Sequence, residues 1–546
     1  MADKFQLPEL RAGTDPTLPI DQKQLKKWLN QTSGTDVSNK IRQLYQLLKG
    51  LNRTLLADKT RFSLLEGLAP LVDDISANLE RHYSALEQPL PPPNRKIAFS
   101  LGKLLHQYSM GYFRLVNVVA GRSASVVKGD IYAVAHVRAM AITTNRLMVY
   151  YRAYLGVPDG VWRDCHGIYQ SAKKLSIHLE SPVDDDSTQL TQPPQSLGKS
   201  TGQSLGQSPA QSIEQCYLTG LLCELADPYR LTAGEVDRLR AYLPSVQKYC
   251  LLGSEAEQTR KPGLFVVHFG IDGGPNELGE VVLRDDRDGF ILDISALVKK
   301  MHQQLTVLGQ EEPDEGQWQQ HKQRMVLLRC LVVAFGVRPD RLQQRTVSSG
   351  ELWVLRGLKT VHNQISAYAA EAESLAEIQF GGGSNPSMPS MKAQDKAMDR
   401  WELVDESPGG FALLREAGGR ARVNIGDLLA IADNPAGPWE TVVVKRVRYQ
   451  GESDLVVGVA RLCGDSRAVF VSKNSVDGKS KIPALLSTNS DDTTTRSTLL
   501  LPPGEWQSGE WISLNRGEED PLLLGKISEM TGHFELFEVA NDPKID

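Results

Sequence analysis

Two arginines four residues apart, Arg341 and Arg345, and a turn reading Asp405-x-Ser407-x-x-Gly410 are the residues of this chain whose types and spacing could do chemistry. A guanidinium is a planar fork of donors. It pairs with phosphate oxygens or with the O6/N7 edge of guanine through two parallel hydrogen bonds, and it stacks on aromatic planes. Arg341/Arg345 is the only arginine pair at this spacing in the sequence. Pro339, two residues ahead of Arg341, opposes a helix through the segment, so it reads as a loop entering a strand at 351–355. An extended loop carrying two arginines can hold a ligand from two sides. The second motif lies between the apolar runs 401–404 and 411–414, which makes it a turn between strands. Asp405 can accept from the N1–H and N2–H₂ groups of a guanine, and the Ser407 hydroxyl can donate or accept. Gly409 and Gly410 would supply positive φ or a close approach of backbones.

In that order, the two motifs resemble the ligand signature of PilZ domains, the bacterial receptors for cyclic di-GMP. The resemblance covers about 338–471 and implies a small antiparallel β-barrel. It implies that Arg341 and Arg345 clamp the guanines and phosphates of cyclic di-GMP, and that Asp405, Ser407 and Gly410 close the other side. Arg338 is a further candidate for phosphate contact, at a position the family does not demand. Downstream, 423–431, 441–449 and 455–460 read as barrel strands, the last two forming a hairpin around Gly451. A helical stretch at 358–379 and a Gly/Ser/Pro tract at 381–389 separate the motifs. The entropic cost of closing a loop grows only slowly with its length, so 358–398 is expected as an insertion within the barrel.

Around this segment the chain of 546 residues has room for several domains. Region 1–183 is expected to be helical: Ile41, Leu44, Leu48, Leu51 and Leu55 make one apolar stripe, and further helical patterns follow at 62–86, 97–119, 131–155 and 161–179. The proline cluster at 89–93 stops a helix. Region 184–211 is rich in Gln, Ser, Pro and Gly and reads as a flexible linker. Its Gly198-Lys199-Ser200-Thr201 resembles the end of a phosphate-binding loop, but Pro193 stands where the first glycine is required and no strand precedes it, so it is rejected. Region 212–336 mixes helices with strands near 264–269 and 289–294. Its acidic cluster at 285–288 lacks the spacing of a calcium loop. The barrel is assigned to 337–475. A β-rich extension occupies 476–546, with 472–495 expected as a polar loop.

The net charge of −5 provides no basic field for a nucleic acid polymer. No apolar run is long enough to span a membrane, and the N-terminal residues lack a signal-peptide core, so a cytoplasmic location is expected. The six cysteines form no Cys-x-x-Cys pair and read as reduced and mostly buried. Cys165 and His166 are adjacent on a helical pattern, so their side chains diverge and the default is packing rather than catalysis.

The expected fold class is multidomain α+β: a large α-helical N-terminal region, then a PilZ-like antiparallel β-barrel, then a β-rich C-terminal extension. No nucleophile elbow, metal spacing or phosphate loop stands out. The reading is therefore a non-enzymatic receptor of cyclic di-GMP, without cofactor or metal, whose helical region engages an unidentified protein partner. The resemblance implies outputs in motility, type IV pili or biofilm control. The competing reading is a scaffold or chaperone-like interaction protein whose barrel has lost the ligand.

Overall fold

The computed structural model describes residues 5–11, 18–34, 36–84, 86–120, 130–181, 211–253, 262–278, 283–284, 287–311, 316–336, 345–380, 398–415, 421–451, 453–462, 464–473, 481–491, 494–504, 506–515 and 519–540. The chain divides into two compact units. One comprises 1–86, 90–311 and 327–338; the other comprises 87–89, 312–326 and 339–546.

The first unit is mainly helical, with α1 (Gln22–Ser33), α2 (Val37–Leu51), α3 (Asp58–Glu80), α4 (Pro92–Val119), α5 (Ile131–Arg152), α6 (Val161–Lys174), α7 (Ile213–Leu225) and α8 (Ala233–Val246). Helix α3 ends at Glu80, ahead of the proline cluster, and the cluster starts α4: Pro92 occupies the first helical turn, where a missing N–H is harmless. The α2 stripe holds for Leu44, Leu48 and Leu51, while Leu55 lies past the helix end and is exposed. Helix α5 is buried over most of its surface and packs against α3, α4, α6, α7 and α8, as an axial helix must when it is apolar all round. Two capping boxes start helices here, Ser212 with Gln215 on α7 and Thr232 with Glu235 on α8. Because α7 and α8 pack on α5, residues on both sides of the 184–211 segment share one core; 184–210, including the rejected phosphate-loop look-alike, lies outside the described residues. A four-stranded antiparallel sheet completes this unit. Its strands are β1 (Leu251–Gly253), β2 (Leu264–His268), β3 (Asn276–Glu277) and β4 (Gly289–Asp293), in the order β1-β4-β2-β3, and α9 (Ser295–Leu308) follows. Asp285 and Asp286 of the acidic cluster lie outside the described residues. Helix α10 (Trp318–Phe335) comes next in the chain.

The second unit holds two β-barrels. The first is built from β5 (Thr346–Val347), β6 (Glu351–Arg356), β7 (Asp399–Ser407), β8 (Gly410–Arg415), β9 (Leu428–Ala432), β10 (Glu440–Gln450) and β11 (Asp454–Arg461), with α11 (Leu358–Phe380) between β6 and β7. The order β6-β9-β10-β11-β8-β7 closes on itself because β7 pairs with both β8 and β6, all antiparallel. The second barrel is a closed ring of β12 (Ser466–Lys473), β13 (Ile482–Asp491), β14 (Thr494–Leu501), β17 (Glu535–Ala540), β16 (Glu519–Met530) and β15 (Trp511–Asn515) in that order. Its interior is apolar, with Val471, Leu499, Leu501, Ile512, Leu524 and Phe537 fully buried. Closure leaves no edge strand to protect.

Much of 472–495 therefore belongs to strands rather than to a polar loop. Polar residues dominate it because β13 and β14 extend as a hairpin whose far end pairs Asn489 with Arg496 and Asp491 with Thr494. Alternation, not average polarity, carries the strand signal there. Strand β12 falls inside the 337–475 segment, yet it closes the second barrel. Helix α11, inserted between β6 and β7, packs Val361 and Ile365 with Leu428, Val443, Leu500 and Phe534, so one apolar cluster joins the helix to both barrels. The tract 381–397 lies outside the described residues.

Candidate functional site

Arg345, the second arginine of the pair, meets the second motif on strand β7. Strands β5 and β6 run along the same side of β7, interrupted at 348–350, with Val347 opposite Asp405 and Glu351 opposite Glu402. The interruption is bridged by Ser348 N–H to Val404 O at 3.4 Å and Leu403 N–H to Gly350 O at 2.8 Å. Thr346 is opposite Glu406, so one further step of the same register sets Arg345 level with Ser407. Register thus delivers the second arginine of the pair to the second motif. Arg345 Nη1 donates to both carboxylate oxygens of Asp405, at 2.9 Å each. The arginine side chain is 45% exposed and the aspartate 23%, so the pair is open to solvent. Arg338 and Arg341 lie outside the described residues.

The turn itself is a tight hairpin between β7 and β8, with Ser407 paired to Gly410. The Ser407 hydroxyl donates to the Gly410 carbonyl at 3.2 Å, so it ties the hairpin. Gly410 has φ +156° and a Cβ there would lie 2.0 Å from the Val459 carbonyl oxygen. Only glycine permits that approach of β8 to β11, as the sequence reading of Gly410 required.

A residue that the sequence reading did not single out also belongs to this neighbourhood. Arg461, at the end of β11, donates from Nη1 to the carbonyls of Ser407 at 2.8 Å and Pro408 at 3.2 Å. Its Nη2 donates to Glu406 at 3.0 Å, its Nε to Glu440, and its guanidinium lies 4.2 Å from the centre of the Phe411 ring. Its own N–H donates to Gly409 O at 3.1 Å. Nothing in its local sequence marks it, because it follows a strand pattern and reaches the motif only through the β11–β8 register, Ala460 opposite Gly410.

An arginine beside a carboxylate on an open strand, next to a glycine-hinged turn, offers donors to phosphate or guanine and an acceptor to the guanine N1/N2 edge. Among the described residues no group of His, Cys, Asp and Glu could hold a metal ion. The Cys165 thiol is buried and pushed well above its usual range by that burial. The neighbouring His166 ring instead meets the Tyr217 hydroxyl through Nδ1 at 2.6 Å. Cys216, Cys223 and Cys250 are also buried, Cys330 is exposed, and Cys463 lies outside the described residues. No helix of the described residues is long and apolar enough to cross a membrane.

Comparison with known proteins adds a second line. Residues 23–257 match the family model described as "Cyclic-di-GMP receptor FimW, N-terminal domain". That match lies in the helical unit and ends ahead of both motifs. A curated relative from Pseudomonas aeruginosa, the "Cyclic-di-GMP receptor FimW", is 25% identical, with 96% of this chain and 91% of the relative covered. No solved structure matches the chain. The chain is thus similar along nearly its whole length to a protein named as a cyclic di-GMP receptor.

Proposed function

We propose that this protein is a receptor for cyclic di-GMP, with the ligand held at the first barrel by Arg341, Arg345, Asp405, Ser407 and Gly410. The observation that carries the reading is the bonding of Arg345 to Asp405. Sixty residues of sequence, including a whole helix, separate them, yet the strand register sets Arg345 against the second motif. Within the interval α11 packs into the cluster shared by the two barrels, and Arg345 stays in reach of Asp405. The full-length similarity to a cyclic di-GMP receptor supports the same ligand.

Arg345 and Asp405 satisfy each other. An exposed ion pair contributes about 0–1 kcal/mol, so exchanging it for a guanine edge on Asp405 and a phosphate or guanine on Arg345 loses little. The receptor acts without chemistry on the ligand. The helical unit would engage a protein partner, and the output would lie in motility, pilus or biofilm control. A ligand biases such a response only through its different affinity for the states of the protein.

Calorimetric titration of the full chain with cyclic di-GMP, with GTP and cyclic di-AMP as controls, tests the reading. Selective micromolar or tighter binding that disappears in Arg341→Ala and Arg345→Ala is expected. Absence of binding to the wild-type chain would hand the case to a ligand-independent scaffold.

A further inference from the structure

We infer that Arg461 is the positioning residue of this site: it holds the turn that carries Ser407 in the shape the ligand meets. The inference rests on the receptor reading above and assigns a role to a residue outside both motifs.

The argument is one of donor accounting. A guanidinium has five N–H donors in a fixed plane. In Arg461 two carbonyls of the turn, Ser407 O and Pro408 O, share Nη1, and the carboxylates of Glu406 and Glu440 take Nη2 and Nε. Four acceptors are thereby served and one donor is left over, so this arginine is committed to the protein rather than offered to a phosphate. The Phe411 ring, itself buried, lies against the guanidinium at 4.2 Å and fixes its plane. The backbone adds a third tie, Arg461 N–H to Gly409 O. Residues 407, 408 and 409 thus each have their carbonyl held by Arg461. This is the segment in which the chain reverses between Asp405 on one strand and Gly410 on the next. A turn held only by its own Ser407–Gly410 bond would sample several shapes. Each alternative shape reduces the fraction competent to bind and so weakens apparent affinity by that fraction.

The contrast with Arg345 sharpens the assignment. Arg345 meets one carboxylate at a half-exposed position, whereas the Arg461 side chain is 28% exposed and reaches two carboxylates and two carbonyls. One is a donor that a ligand can take over; the other is a brace that it cannot.

The test uses the full chain, with cyclic di-GMP affinity from calorimetry and a melting temperature for each variant. Arg461→Ala is expected to weaken binding about tenfold or more, equivalent to about 1.4 kcal/mol, while the chain still folds. Arg461→Lys keeps a positive charge between Glu406 and Glu440 but lacks the planar fork, and is expected to keep the melting temperature without restoring the affinity. Arg400→Ala, which removes a guanidinium resting on Trp353 and paired with Glu351 on the same barrel, serves as the control and should bind as wild type. Wild-type affinity in Arg461→Ala, or full rescue by Arg461→Lys, would overturn the positioning role. If the wild-type chain itself does not bind, the receptor reading has failed instead, and the two failures are told apart by that first titration.

Discussion

At the scale of single residues the proposed ligand pair and the turn beside it are held in different ways, and substitutions divide accordingly. Arg345 and Asp405 are bonded but open to water. Arg345→Ala should therefore remove cyclic di-GMP binding while lowering folding stability by less than about 1 kcal/mol. A urea melt run beside the titration checks both halves, and a large loss of stability would mean that the arginine is structural. Gly410 behaves oppositely. Its missing side chain leaves room for the Val459 carbonyl, and a methyl group would sit 2.0 Å from that oxygen. Gly410→Ala must push β8 from β11, so we expect destabilisation on the order of 3 kcal/mol together with loss of binding. A Gly410→Ala chain with wild-type stability would show that the strands can part there at no cost. Arg345, Asp405, Ser407 and Gly410 could be picked out as ligand candidates from sequence alone, because each belongs to a short motif whose chemistry is local. The sequence could not mark Arg461, whose role exists only once β11 lies beside β8.

At the scale of elements, the strands of the first barrel were legible because their β-branched and aromatic runs are bounded by turn residues such as Pro408-Gly409 and Gly451. The second barrel was less so. Its β13–β14 hairpin is rich in Ser, Thr, Asn and Asp, and such residues read as loop until a partner strand gives them a register. Helix α11 was recognised as a helix but not as a joint. Its apolar face looks like any amphipathic stripe, and that it is covered from two barrels is a fact of tertiary packing. This packing makes a prediction. Phe534, fully buried, comes from the turn ahead of β17 and shares its cluster with Leu428 of β9 and Val361 of α11. Phe534→Ala should cost about 3–5 kcal/mol. It should also speed hydrogen exchange in β9 of the first barrel, not only in the second. Faster exchange confined to β16 and β17 would mean that the barrels are energetically separate.

At the scale of the whole molecule the helical unit has a property of its own, read from three buried histidines. His106, His136 and His166 are each held down to about 4, first of all by burial. Their neighbours agree with the neutral ring. His136 meets the Tyr132 carbonyl through Nδ1 and the Ser171 hydroxyl through Nε2, and His166 meets the Gly273 carbonyl and the Tyr217 hydroxyl, so in each ring one nitrogen donates and the other accepts. His106 Nδ1 faces Arg146 at 3.1 Å, where a second cation would be repelled. Depressed histidines contribute stability that is fully present above about 6.5, the unfolded value, and is lost as pH falls through about 4. Asp164 has the opposite sign. Burial raises it to about 6, so its contribution is present below about 3.8 and is lost as pH rises through about 6. Near pH 5 the three histidines outweigh the one carboxyl, and unfolding takes up about two protons net from these groups. The melting temperature of the helical unit, followed by far-ultraviolet circular dichroism, should therefore fall between pH 6.5 and 4. His166→Gln should lower stability at neutral pH yet flatten that fall by about one proton, whereas Asp164→Asn, by removing the compensating group, should steepen it. A slope unchanged in both variants would mean that these groups titrate alike in the folded and unfolded chains, and the buried rings would then have to be reached by water.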